Sequence, residues 1–162
     1  MTAANRIGET TFTTPSDREI VITRVFDASR DLVFEALTNS EHVPQWYGPR
    51  GWTLPVCDID LRLGGAWRFV LRSPDGQEMG MRGVYQEITP PERLVSTESF
   101  DDYPGESLNT VVLSEDNGKT TIRTTVLYPS KEARDAVLES GMEDGAAQTY
   151  DRLAEYLRAQ ER

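Results

Sequence analysis

From residue 52 to residue 128 the chain alternates apolar and polar side chains with a period of two, and no other feature narrows the fold so far. The alternation breaks into candidate strands at 52–61, 66–73, 79–89, 94–100, 108–115 and 120–128. Between them stand turn signals: Leu63-Gly64-Gly65, Ser73-Pro74-Asp75-Gly76, Thr89-Pro90-Pro91-Glu92 and Asp116-Asn117-Gly118. Asp101-Asp102-Tyr103-Pro104-Gly105-Glu106 is a longer loop. Turns this short join antiparallel neighbours, because a parallel crossover needs a dozen residues or more. In the second of these strands Trp67, Phe69 and Leu71 share one face, and Arg68, Val70 and Arg72 take the other. An antiparallel sheet with one wet face turns the first set inward, and something must cover it.

The cover is the last long helix, expected over 140–160. Met142, Ala146, Thr149, Tyr150, Leu153, Tyr156 and Leu157 recur at three- and four-residue steps and make one apolar stripe. Ser140 and Glu143 have the Ser-x-x-Glu spacing of a capping box. The stripe is uneven, with bulk at its C-terminal end and only Gly145, Ala146 and Thr149 in its first half. Such a low half either lets a sheet approach closely or leaves room beneath the helix.

Upstream, 18–27 is rich in β-branched residues and is expected as a strand, with Ile20, Ile22 and Phe26 on one face and the last strand as its neighbour. Ser29 caps a short helix with a stripe of Leu32, Val33, Ala36 and Leu37, and Ser40 is placed to cap a second short helix toward Trp46. After Tyr128-Pro129, Ser130 caps a helix over 131–139. The polar residues 1–16 are expected as a flexible leader, and 17–162 as one domain.

A chain of 162 residues suits a single core. No apolar run approaches the roughly 20 residues that span a bilayer, and no secretory signal is recognisable. One cysteine cannot make an internal disulfide, so a cytoplasmic location is expected. A net charge of −10 spread along the chain repels phosphate backbones and anionic lipid, which excludes nucleic-acid and membrane roles.

Five stretches, in order, carry a family resemblance: Phe26-Asp27-Ala28; Trp46-Tyr47-Gly48-Pro49; Asp60 to Trp67, with its Gly64-Gly65 turn; Pro90-Pro91-Glu92-Arg93-Leu94-Val95; and Ser140-Gly141-Met142 with Asp151-Arg152-Leu153. The chain resembles the START-like helix-grip superfamily (SRPBCC), in the branch similar to the C-terminal domain of the Hsp90 ATPase activator. The resemblance implies an α+β fold: a seven-stranded antiparallel sheet wrapped around the C-terminal helix, two short helices between strands one and two, and a deep apolar cavity under the helix. Relatives often carry a bulky residue where this chain has Ala146, which implies a larger cavity here.

No nucleophile elbow, zinc-binding His pair, Walker loop or dinucleotide fingerprint is present. His42 and Cys57 have no partners at ligand spacing, so neither a metal nor a cofactor is expected and no catalytic residue is assigned. Asp60 and Arg62 are expected to pin the Gly64-Gly65 turn. Glu98 shares a strand face with Ser96 and Phe100, and if that face is inward, desolvation should raise its pKa. The expected ligand-binding residues are Trp46, Tyr47, Trp67, Phe69, Tyr85, Phe100, Met142, Ala146 and Thr149. The function expected is binding of a small apolar or aromatic molecule. A cyclase- or lyase-type enzyme using the same cavity is the alternative, and stimulation of an Hsp90-type ATPase is a third. The partner expected is that small ligand, with a homodimer left open as the assembly state.

Overall fold

The computed structural model describes residues 8–103 and 105–160. The elements run β1 (Thr10–Thr13), β2 (Glu19–Phe26), α1 (Arg30–Thr38), a 3-10 turn at Val43–Gln45, β3 (Thr53–Ile59), β4 (Ala66–Arg72), β5 (Glu78–Thr89), β6 (Arg93–Phe100), β7 (Ser107–Asp116), β8 (Lys119–Leu127), α2 (Lys131–Glu139) and α3 (Met142–Gln160). All strand pairs are antiparallel, in the order β1-β2-β8-β7-β6-β5-β4-β3. The long meander β3 to β8 follows the period-two pattern. The expected pairing of the 18–27 strand with the last strand is present, from Glu19 opposite Leu127 to Phe26 opposite Thr120.

The sheet has eight strands rather than the seven expected. The additional strand is Thr10–Thr13, inside the segment expected as a flexible leader; residues 1–7 of that segment lie outside the described residues. A row of open N–H and C=O groups along β2 is a pairing template, and Thr-Thr-Phe-Thr has the β-branched content to fill it. The match is more than backbone: Thr10 Oγ1 accepts a 2.9 Å hydrogen bond from Arg24 Nη1 on the partner strand.

The helix starts divide. Ser29 and Ser130 cap α1 and α2 as expected, each accepting from a backbone N–H at Leu32 (3.2 Å) and Ala133 (3.1 Å). Ser140 does not open α3. Its hydroxyl donates to Val137 O at 2.6 Å and closes α2, and Gly141, with a φ of 82°, breaks the chain before α3 begins at Met142. Asn39, not Ser40, organises the 3-10 turn, with Oδ1 accepting from Glu41 N at 2.8 Å.

The core lies between β2, β8 and β7 on one side and α1 with the C-terminal half of α3 on the other. Ile20, Phe26, Val33, Val43, Leu113, Ile122 and Leu153 are essentially inaccessible. Each large member contributes about 1.5–3 kcal/mol by leaving water. The backbone of α3 comes closest to α1, α2 and β1 rather than to the middle strands, so the helix bridges the sheet from its ends.

Deleting residues 1–16 removes β1, the Thr10 acceptor for Arg24, and the Ser16 carbonyl that accepts from Arg134 at 2.7 Å. It is therefore expected to lower the melting temperature by several degrees, at about 2–4 °C per kcal/mol for a chain of this size. Deleting 1–26 also removes β2 and is expected to abolish cooperative unfolding. Thermal unfolding of both truncations checks the ranking.

Candidate functional site

The two halves of α3 are buried differently. Leu153 and Leu157 are 0% and 2% exposed, whereas every residue from Met142 to Tyr150 is half-buried or exposed. The sheet surface opposite can be assigned from register. Leu94 pairs with Val111, Ser96 with Asn109 and Glu98 with Ser107. Leu94 is in the core and Val111 packs against it, so Ser96, Glu98, Asn109 and Ser107 continue the inner face toward the first half of α3. Glu98, Ser96, Asn109 and Phe100 are half-buried, as are Ala146, Thr149 and Tyr150 on the helix. Tyr150 spans toward the sheet, its ring edge-on to Phe26 at 5.9 Å and its hydroxyl sharing a 3.1 Å hydrogen bond with Thr124 Oγ1.

One side of the site is held by the Trp46-Tyr47-Gly48-Pro49 loop. Gly48 has a φ of 102°, and an added Cβ there would lie 2.7 Å from Leu71 Cδ2, so both conformation and space demand glycine. Arg152 Nη1 donates to Gly48 O at 2.9 Å, with Pro49 O at 3.2 Å and Tyr47 O at 3.3 Å also within reach. Trp46 is locked by its own Nε1, which donates to Ala36 O at 3.0 Å. The loop thereby sets Tyr47 beside Phe69, ring centroids 5.1 Å apart, with the Tyr47 hydroxyl donating to Met81 Sδ at 3.4 Å.

Glu98 is the electrostatic centre of the site. Burial pushes its carboxyl pKa up, and a hydrogen bond from the Asn109 side chain opposes that only in part. Among the described residues no basic side chain forms an ion pair with it. Tyr47 and Tyr128 are both raised, first by burial and then by the charge of Glu98. Burial also raises Tyr150 and Tyr85. It pushes the Cys57 thiol to about 11, with Asp58 adding to the effect, so the thiol is protonated at neutral pH and a poor nucleophile.

The nine residues expected to bind ligand fall into two groups. Trp46, Trp67, Phe69 and Tyr85 are buried in the core. Both tryptophan N–H groups are spent on backbone carbonyls, Trp67 Nε1 donating to Thr97 O at 3.2 Å. Tyr47, Phe100, Met142, Ala146 and Thr149 are half-buried. Thr149 turns its hydroxyl to Gly145 O at 2.8 Å, within its own helix. Asp60 is exposed and takes a 2.8 Å bond from Arg62 Nε beside the Gly64-Gly65 turn, away from the site. Asn109 and Tyr128 were absent from the sequence-based set. The parity that groups Glu98 with Ser96 was visible, but only the β6–β7 register brings Asn109 to it.

Two hollows border this region: about 130 Å³ lined by Arg24, Phe26, Ala154 and Leu157, and about 210 Å³ lined by Arg18, Thr97, Ser107 and Tyr128, the last two also belonging to the candidate site. Among the described residues no three His, Cys, Asp or Glu side chains gather as a metal-holding group, and no helix is long and apolar enough to cross a membrane.

A curved antiparallel sheet gripped by one long C-terminal helix defines the helix-grip class of α+β proteins. Residues 27–158 match the family described as activator of Hsp90 ATPase homolog 1-like protein, and the chain belongs to that family. A solved structure from Rhodobacter sphaeroides is 32% identical, covers 93% of this chain and 99% of its own, and superposes with a TM-score of 0.89. Proteins from Chromobacterium violaceum (26% identical, 88% and 98% covered, TM-score 0.79) and Nitrosomonas europaea (22%, 91% and 99%, 0.83) share the fold. No curated protein matches this chain.

Gly48→Ala is expected to cost about 2 kcal/mol or more, from the left-handed backbone and the overlap with Leu71, read as a fall in melting temperature. Glu98→Gln tests the buried carboxyl. A pKa raised in the folded state favours folding below the unfolded value and loses that contribution as pH rises through the native one. The glutamine variant should therefore match the parent near pH 4 and melt a few degrees higher near pH 9, in a pH series of thermal unfolding.

Proposed function

We propose that the protein binds a small, largely apolar molecule between the first half of α3 and the inner face of β5–β8. The observation that carries this is the matched half-burial of the two facing surfaces. Ala146 and Tyr150 on the helix, and Phe100, Ser96, Glu98 and Asn109 on the sheet, all retain accessible area while the neighbouring core is closed. Facing surfaces in direct contact would bury one another, as Leu153 and Leu157 do one turn further on. The lining is of the kind small-molecule sites use: mostly aromatic and aliphatic, with a few polar groups fixed in place. Arg152 holds Tyr47, and β7 holds Asn109 against Glu98.

Glu98 gives a second reading, that of an acid–base enzyme in the same space, a specific foothold. A carboxyl whose pKa is raised by burial keeps its proton to higher pH than a free one and can deliver it to a bound substrate. Change in a compound recovered from the protein would favour that reading, and recovery unchanged would favour binding.

Ala146→Trp decides whether space lies beneath the helix. An indole entering open volume buries apolar area, so the melting temperature should hold or rise while binding of an apolar fluorescent probe is lost. If Ala146 sits against a strand, the same change overpacks the core at a cost of about 1–3 kcal/mol. A melting temperature lower by several degrees overturns the proposal.

A further inference from the structure

Three groups beneath α3 present hydrogen-bond acceptors: Glu98, Asn109 and Tyr47. Glu98 presents a carboxyl with no cationic partner among the described residues. The Asn109 side chain hydrogen-bonds that carboxyl, and its Oδ1 is buried without any hydrogen-bond partner. Tyr47 directs its phenolic proton at Met81 Sδ, which leaves the oxygen lone pairs free. Two buried or part-buried guanidinium groups are held elsewhere. Arg152 Nη1 is spread over the backbone carbonyls of Tyr47, Gly48, Pro49 and Trp52, and Arg24 Nη1 is held by Asp151 at 2.7 Å and by Thr10, with its buried Nε left without a partner.

Around these acceptors the wall is aromatic. Tyr47 stands edge-on to Phe69, and Phe69 lies 4.9 Å from Trp67. Desolvated acceptors without donors are unfavourable, and the group that answers them brings several N–H donors and a positive charge. An ammonium does both, and the faces of aromatic rings attract it as well. The net charge of −10 draws cations toward the protein and repels anions.

We propose that the ligand is an amphiphilic amine, its aromatic or alkyl body under α3 and its protonated amino group on Glu98, with Asn109 turning its amide oxygen to the same group. This rests on the binding reading above and names its ligand class. Uptake is linked to a proton. Without ligand, burial favours the neutral carboxyl; with ligand, the ammonium pairs with the carboxylate, and the Glu98 proton leaves to solvent. The other titratable groups around the space are Tyr47 from the loop, Tyr128 at the end of β8, Tyr150 from α3 and Cys57 from β3. All are shifted upward, so all are neutral between pH 6 and 8.

The test titrates the full chain with three probes of one shape: 2-naphthylmethylamine, 2-naphthylmethanol and 2-naphthoate, at pH 6 and pH 8. The amine is expected to bind about tenfold tighter than the alcohol at pH 8, the margin of a charge-assisted over a neutral hydrogen bond. The margin narrows as pH falls and more of Glu98 is protonated, and the carboxylate binds weakest. Glu98→Gln is expected to erase the amine's advantage over the alcohol, bringing the two affinities within about twofold of each other. If the alcohol or carboxylate binds as tightly as the amine, the amine inference falls and the binding reading stands. If none of the three binds, both fall.

Discussion

The guanidinium of Arg152 holds the loop beside the candidate site in place. It reaches from the middle of α3 to the carbonyls of residues 47–52, and burial, its largest electrostatic cost, lowers its pKa. Those carbonyls converge only because Gly48 takes a left-handed conformation against Leu71. The loop's carbonyls and the Arg152 cation of α3 therefore fix each other. Arg50 adds a second fastening, its backbone N–H donating to Gln148 Oε1 at 3.0 Å and its side chain pairing with Glu155. These contacts set the height of α3 at this edge. With Asp151 bound to Arg24 on the other side, the helix is strung between two arginine contacts and not pressed onto the middle of the sheet.

That suspension explains why small residues occupy the first half of the stripe. A helix resting on a sheet needs side chains that interdigitate, as Leu153 and Leu157 do where α1 and β2 close in. Toward Met142 the helix is carried by its ends and by Tyr150, whose ring reaches Phe26 and whose hydroxyl reaches Thr124. A Cβ at Gly145 would meet Pro49 at 3.5 Å, ordinary contact, so the loop that Arg152 holds passes close by without demanding glycine there.

Most of the architecture was legible because its elements obey simple periods. The strands from β3 to β8 fall close to the alternating segments, and α2 occupies its expected span. What escaped depended on information no short window contains. Thr-Thr-Phe-Thr is too brief and too polar to register as a strand until β2 offers it an edge. Ser140 has the spacing of a capping box, but the helix ahead of it needed a closing donor, and the hydroxyl went there. At the site, aromatic character alone selected Trp46 and Trp67, and it gave no hint that both N–H groups are answered by backbone carbonyls. Asn109 drew no notice because a lone asparagine in a strand has no periodic signature. Only the pairing of β6 with β7 places it against Glu98.

Glu98 is where local economy and fold disagree, which is what a functional site looks like in physical terms. A carboxyl on an inner sheet face has no ion-pair partner among the described residues, and burial raises its pKa, which favours the protonated form. The neutral acid can donate its O–H to the Asn109 oxygen while the Asn109 N–H₂ donates back, and the orphaned acceptor on Asn109 is then satisfied. A bound ammonium would answer the same two acceptors with charge added. Proton and ammonium are thus competitors for one pair of oxygens. An apolar body under α3 tips the balance, because only the amine brings hydrophobic area to bury along with its charge. A neutral ligand of the same shape would leave the acid–amide pair intact, and would be held by the aromatic wall alone.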